Sequence, residues 1–98
     1  MNITKTITGS ELLLSVSGNL DSVSAPQLEK AVNDSVTGIS KLIFDFEKVD
    51  YVSSAGLRVL LLSHKIMAKQ GSMVVRHVNK EVMDIFELTG FTSFLTIE

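Results

Sequence analysis

The chain has 98 residues, 45% hydrophobic and 20% charged, enough for one globular core and too little for a second, so a single domain over residues 1–98 is expected. The formal net charge is −2, which leaves no basic field to hold nucleic acid or an anionic lipid surface. Cysteine is absent, no charged-then-apolar leader opens the chain, and no apolar run approaches the roughly 18 residues of a membrane span; together these fit the cytoplasm.

Asn2–Thr8 and Glu11–Ser17 are rich in β-branched and apolar residues and are separated by Gly9-Ser10, which predicts a β-hairpin. After Gly18-Asn19-Leu20-Asp21 the pattern turns helical. Ser24 reads as an N-cap, Pro26 falls in the first turn, and Gln27 stands three residues past Ser24 as in a capping box. Leu28, Ala31, Val32, Ser35 and Val36 recur at helical spacing, and Gly38 closes the segment. Lys41–Phe46 reads as a largely buried strand bounded by a turn at Glu47-Lys48.

Ser53-Ser54-Ala55-Gly56-Leu57 then leads into a helix from about Ala55 to Gln70, ended by Gly71. A hydroxyl pair at such a junction can cap the helix, bind an anion or accept a phosphate. Ser72–Val78 supplies a further strand, Asn79 caps a helix over Lys80–Thr89 that Gly90 terminates, and Phe94–Ile97 is the last strand. The order ββαβαβαβ predicts an α/β fold in which helices cross between the strands of a mixed sheet.

On a helical wheel, Leu57, Leu60, Leu61, His64, Met67 and Ala68 share one broad face of the junction helix, the expected core face. Arg58, Lys65 and Lys69 form a basic stripe, and Ala55, Val59, Leu62 and Ile66 a second apolar one beyond it. A helix apolar on two sides must be covered twice. Either a neighbouring helix of the same domain does this, or the stripe is a docking surface with the basic residues as its rim.

Catalytic readings find little support. His64 lies within the apolar face, where a histidine is normally a packed side chain, and His77 has no carboxylate or cysteine beside it in the sequence. No metal set is legible from two isolated histidines, and no cofactor is expected. Ser54 before Gly56 lacks the Gly-x-Ser-x-Gly frame of a nucleophile elbow, and the glycines match no nucleotide fingerprint. Asp21, Asp45 and Asp50 read as solvated or capping carboxylates. A non-enzymatic role is expected.

The stretch Asp45-Phe46-Glu47-Lys48-Val49-Asp50-Tyr51-Val52-Ser53-Ser54-Ala55-Gly56-Leu57 resembles the signature of the STAS domain, in its small bacterial form known as the anti-sigma factor antagonist. Gly18-Asn19-Leu20-Asp21 is similar to the family's Gly-x-Leu-Asp, Gly71-Ser72-Met73-Val74-Val75 to its fourth-strand entry, and Val82–Gly90 to its closing Phe-x-x-x-Gly helix, so the resemblance covers nearly the whole chain. It implies a STAS-type mixed β-sheet of about five strands packed with three or more helices.

It also implies a mechanism. Partner-switch members bind an anti-sigma factor that is itself a serine kinase, and so free a sigma factor; phosphorylation ends the binding and a serine/threonine phosphatase restores it. The family's acceptor stands two residues before the glycine, which is Ser54 here. The family commonly has aspartate directly before the acceptor, whereas this chain has Ser53, an alternative acceptor. Expected partner contacts are Asp21, Ser22, Ser53, Ser54, Arg58, Val59 and Leu62. The alternative from the same resemblance is a structural subunit docking on the ATPase of a lipid-transport ABC system.

Overall fold

The computed structural model describes residues Met1–Glu98. Strand β1 (Asn2–Thr8) turns at Gly9, which takes φ +61°, into β2 (Glu11–Leu20), and the two pair antiparallel as a hairpin. Helix α1 (Ala25–Ser35) then crosses to β3 (Lys41–Val52), α2 (Ser54–Ala68) to β4 (Ser72–Arg76), and α3 (Lys80–Leu88) to β5 (Thr96–Ile97). The strand order is β1-β2-β3-β4-β5, with every pairing after the first parallel.

Each crossover steps the same way across the sheet, so the right-handed rule puts all three helices on one face. The core agrees. Leu12, Leu14, Leu42, Phe44 and Val75 of the sheet form one buried cluster with Leu28 and Val32 of α1, Leu57 and Leu60 of α2, and Val82 and Phe86 of α3. Strand alternation sends the residues between them, Leu13, Ile43 and Val74, to the opposite, helix-free face, where they are neighbours across β2, β3 and β4.

Strand β3 runs six residues past its expected end, and no turn forms at Glu47-Lys48. Between Ser15 and Ser17 β2 advances two positions while β3 goes from Asp45 to Lys48, three; between Gly18 and Asn19 β2 advances one while β3 goes from Val49 to Tyr51, two. Two extra residues are thus absorbed as β-bulges. The core-facing side chains of β3 are Leu42, Phe44, Phe46, Val49 and Val52, a spacing that changes from two to three at the first bulge. The Asp45 carboxylate braces that bulge by accepting the Glu47 N–H at 3.0 Å.

Other boundaries also shift. Ser24 makes no side-chain cap; its hydroxyl points back, donating to the Asn19 carbonyl (2.7 Å) and accepting the Asp21 N–H (2.9 Å), so no capping box with Gln27 exists. Asn79 caps α3 as expected, its side chain accepting the Val82 N–H at 2.8 Å. The chain near the C-terminus makes a 3-10 turn at Phe91–Ser93, leaving only Thr96–Ile97 as strand. Gly71 cannot be another residue: a Cβ there would lie 1.9 Å from the Ser40 carbonyl oxygen.

Candidate partner-docking and phosphorylation site

The site begins where β2 and β3 end side by side, with Leu20 paired to Val52. The Leu20 carbonyl accepts the Ser53 N–H at 2.8 Å, which fixes the chain direction just before α2. A Cβ on Gly56 would fall 2.6 Å from Leu20 Cγ and 2.9 Å from Leu20 O. Glycine is therefore what lets the first turn of α2 sit directly on the end of β2.

The two serines divide the roles available at a helix mouth. Ser53 is the N-cap: its backbone is extended (φ −87°, ψ 176°), its hydroxyl accepts the Gly56 N–H at 3.5 Å, and its carbonyl accepts the Leu57 N–H at 2.9 Å. Ser54 is the first helical residue and is exposed, whereas Ser53 is half-buried. The N–H groups of Ser54 and Ala55 precede the first intrahelical bond and add to the positive end of the helix dipole.

The loop after β2 forms the near wall. Asp21 Oδ1 accepts the N–H groups of Val23 (3.0 Å) and Ser24 (3.1 Å), closing a tight turn. The Ser24 N–H first, and the Val23 N–H with it, hold the Asp21 carboxyl below its ordinary value of 3.8. Asp21 thus acts as a brace for the loop, while Ser22 beside it is exposed.

Helix α1 packs along α2 and settles the second apolar stripe. Val59 is only 3% exposed and belongs to the core, and what remains of its surface lines the groove between α1 and α2. Leu62, Ile66 and Ala55 are half-buried. Ser22, Ala25, Ala55 and Arg58 line a groove of about 310 Å³ between the helix mouths, and Leu62, Lys65 and Ile66 line its continuation towards Gln70. The far end is tied shut by Gln70 Nε2, which donates to the carbonyls of Val36 (2.8 Å) and Ile39 (2.7 Å).

Two apolar side chains missing from the expected set are exposed on the two segments that frame the site. Val23, at the tip of the Asp21 loop, is 87% exposed, and Tyr51, two residues before the cap, is 50% exposed. Val23 carried a signal in the sequence, an aliphatic residue between Ser22 and Ser24 with no helical or strand period to explain it. His64 is half-buried with its ring centroid 4.9 Å from that of Phe94, a packed side chain. His77 does meet a carboxylate, with Nδ1 3.0 Å from Asp45 Oδ1.

A sequence model of the STAS domain matches residues 2–98. This chain belongs to the STAS domain family. BtrV of Bordetella bronchiseptica, a candidate anti-sigma factor antagonist, is 35% identical over 88 residues, which are 88% of this chain and 76% of BtrV. Among solved structures, an anti-sigma factor antagonist from Mycobacterium paratuberculosis superposes with a TM-score of 0.88 at 25% identity, over 98% of this chain and 83% of that one. The anti-sigma factor antagonist SpoIIAA, from Bacillus, shares the fold at 14% identity in its unphosphorylated form, with a TM-score of 0.79 over 99% of this chain and 87% of that one. SpoIIAA has also been solved in a phosphorylated form. The STAS fold expected from the sequence, a five-stranded mixed sheet with three helices, is the fold observed. No helix is long and apolar enough to cross a membrane.

Proposed function

We propose that this protein is an anti-sigma factor antagonist, a non-enzymatic partner switch that binds an anti-sigma serine kinase when Ser54 is unmodified and lets go when Ser54 is phosphorylated. The observation that carries this reading is the division between the two serines: Ser53 holds the cap while Ser54 presents its hydroxyl to solvent at the helix mouth. The names of BtrV and the Mycobacterium paratuberculosis protein support it.

The docking surface runs from Val23 and Ser22 across Ser54 to Arg58 and Leu62, with Tyr51 at its border. Val23 and Tyr51 supply apolar anchors, and Ser22, Ser54 and Arg58 a polar rim. A phosphate on Ser54 brings roughly −1.5 to −2 charges and three acceptor oxygens. At the helix mouth the dipole favours that charge by about 0.3–1 kcal/mol, so the fold is preserved. Arg58 lies four residues on, in reach of an i, i+4 pair with the phosphate. Phosphorylation therefore both adds a hydrated dianion to the interface and draws off its nearest cation.

The test is to incubate the protein with a purified anti-sigma kinase and ATP, map the phosphate by mass spectrometry, and restore the protein with a serine/threonine phosphatase. Phosphate on Ser54 is expected. Ser54→Ala should bind the kinase constitutively and Ser54→Asp weakly, both fully folded. Phosphate on Ser53 alone would move the switch to the capping residue. Equal affinities for the two Ser54 variants would leave a static docking subunit, such as one seated on a transporter ATPase.

A further inference from the structure

The helix-free face carries a second constellation, well away from Ser54. Strand alternation turns Asp45 from the core-facing Phe44 and Phe46 onto that face. The same alternation places Glu47, two residues on, beside it. His77 follows β4, whose Arg76 is the cross-strand partner of Asp45. One carboxylate oxygen from each acid and one ring nitrogen of His77 lie within 4.8 Å of one another. We propose that Asp45, Glu47 and His77 form a binding site for a divalent transition-metal ion of the zinc class.

The geometry suits such an ion. With metal–ligand bonds of about 2.0–2.2 Å and tetrahedral angles, neighbouring donor atoms stand about 3.3–3.6 Å apart. His77 Nδ1 and Asp45 Oδ1, at 3.0 Å, need to part by only a few tenths of an ångström to span such an edge. Glu47 is exposed and free to swing in and complete a three-ligand face, with water at the remaining positions. The Glu47 backbone N–H on Asp45 Oδ1 orients that carboxylate, as a supporting hydrogen bond does for a metal ligand.

His77 itself is held in a conformation uncommon for a side-chain residue, φ +60°, with its N–H donated to the Glu98 carbonyl at 3.3 Å.

Charge and ligand type narrow the ion. Two carboxylates match a dication, and the imidazole selects zinc, cobalt or nickel over calcium or magnesium, which take oxygen donors. Of the nearby cations, Arg76 is engaged by the Glu98 carboxylate at 3.3 Å. Lys48 lines the same groove as Asp45 and Glu47 and is exposed; its flexible stem lets the ammonium turn outward.

The ion would bridge β3 to the end of β4, on the face that carries no helix. Its binding does not depend on the Ser54 switch, and either can fail without the other.

The direct test is titration of chelator-treated full-length protein with ZnCl₂ by calorimetry, and with CoCl₂ followed by its visible d–d absorption. One equivalent should bind. Glu47→Gln and His77→Asn should each weaken affinity by about tenfold or more, and His64→Gln should leave it unchanged. Asparagine tolerates the positive φ at position 77, and Glu47 is exposed, so both variants should keep the wild-type circular dichroism. MgCl₂ should not compete. No saturable binding up to about 1 mM Zn²⁺, or wild-type affinity in either ligand variant, would overturn the proposal.

Discussion

Replacing Gly56 by alanine probes the geometry on which the helix mouth depends, and two effects oppose each other in sign. Helix propensity alone favours the change by about 1 kcal/mol, since glycine is the poorer helix former. Against this, the new Cβ would sit 2.6 Å from Leu20 Cγ, 3.0 Å from Leu20 Cδ2 and 2.9 Å from Leu20 O. Leu20 is fully buried, so its side chain has no open space to move into. Overpacking of this kind costs about 1–3 kcal/mol. Retreat of α2 would also stretch the 2.8 Å bond between the Ser53 N–H and the Leu20 carbonyl, worth about 1 kcal/mol. The contact terms win, and the net loss is about 1–3 kcal/mol.

For a domain of this size each kcal/mol moves Tm by about 4–8 °C. Thermal unfolding followed by circular dichroism should show a clear drop, and binding to the proposed kinase partner should weaken although Ser54 is untouched. A Gly56→Ala protein as stable as wild type, or more so, would show that α2 does not rest on the end of β2.

Ser35→Ala should stabilise the protein by up to about 1 kcal/mol in urea unfolding, because the Ser35 hydroxyl is buried without a hydrogen-bond partner and alanine is the better helix former. Val59→Ala and Leu62→Glu should separate core from surface on α2. The first removes buried packing and costs about 2 kcal/mol, whereas the second leaves a folded protein that no longer binds the proposed kinase partner; strong unfolding by Leu62→Glu would place that side chain in the core. Asp21 should titrate below 3.8 in carbon-detected NMR. Its folded-state pKa is depressed, so the order it lends the 21–24 loop is present above the unfolded value and lost as pH falls through the folded one. A midpoint at or above 3.8 would deny the turn its carboxylate brace.

Much of this arrangement is legible because its signals are local. Gly9-Ser10 between two branched segments marks the hairpin, Asn79 marks the start of α3, and the serine-glycine junction marks the mouth of α2. Signals spread between elements are not. The β3 bulges break the period-two rule, so Glu47-Lys48 looks like a turn when it is an insertion that the neighbouring strand absorbs. Ser24 has the spacing of a capping box, but the nearby Asn19 carbonyl and Asp21 N–H compete for its hydroxyl and win. Val59 and Leu62 share one stripe on a wheel, yet α1 buries the first and only shades the second. His77 and Asp45 are separated by 32 positions and meet only through the β3–β4 register.

The most direct measurement uses protein made homogeneously as phosphoserine at position 54, compared with unmodified protein for affinity towards the anti-sigma kinase and for circular dichroism. Burying an uncompensated charge at an interface costs about 3–5 kcal/mol, so affinity should fall by at least about 100-fold while the spectrum stays the same. Undiminished affinity, or a lost fold, would contradict a switch worked by charge at an exposed helix mouth.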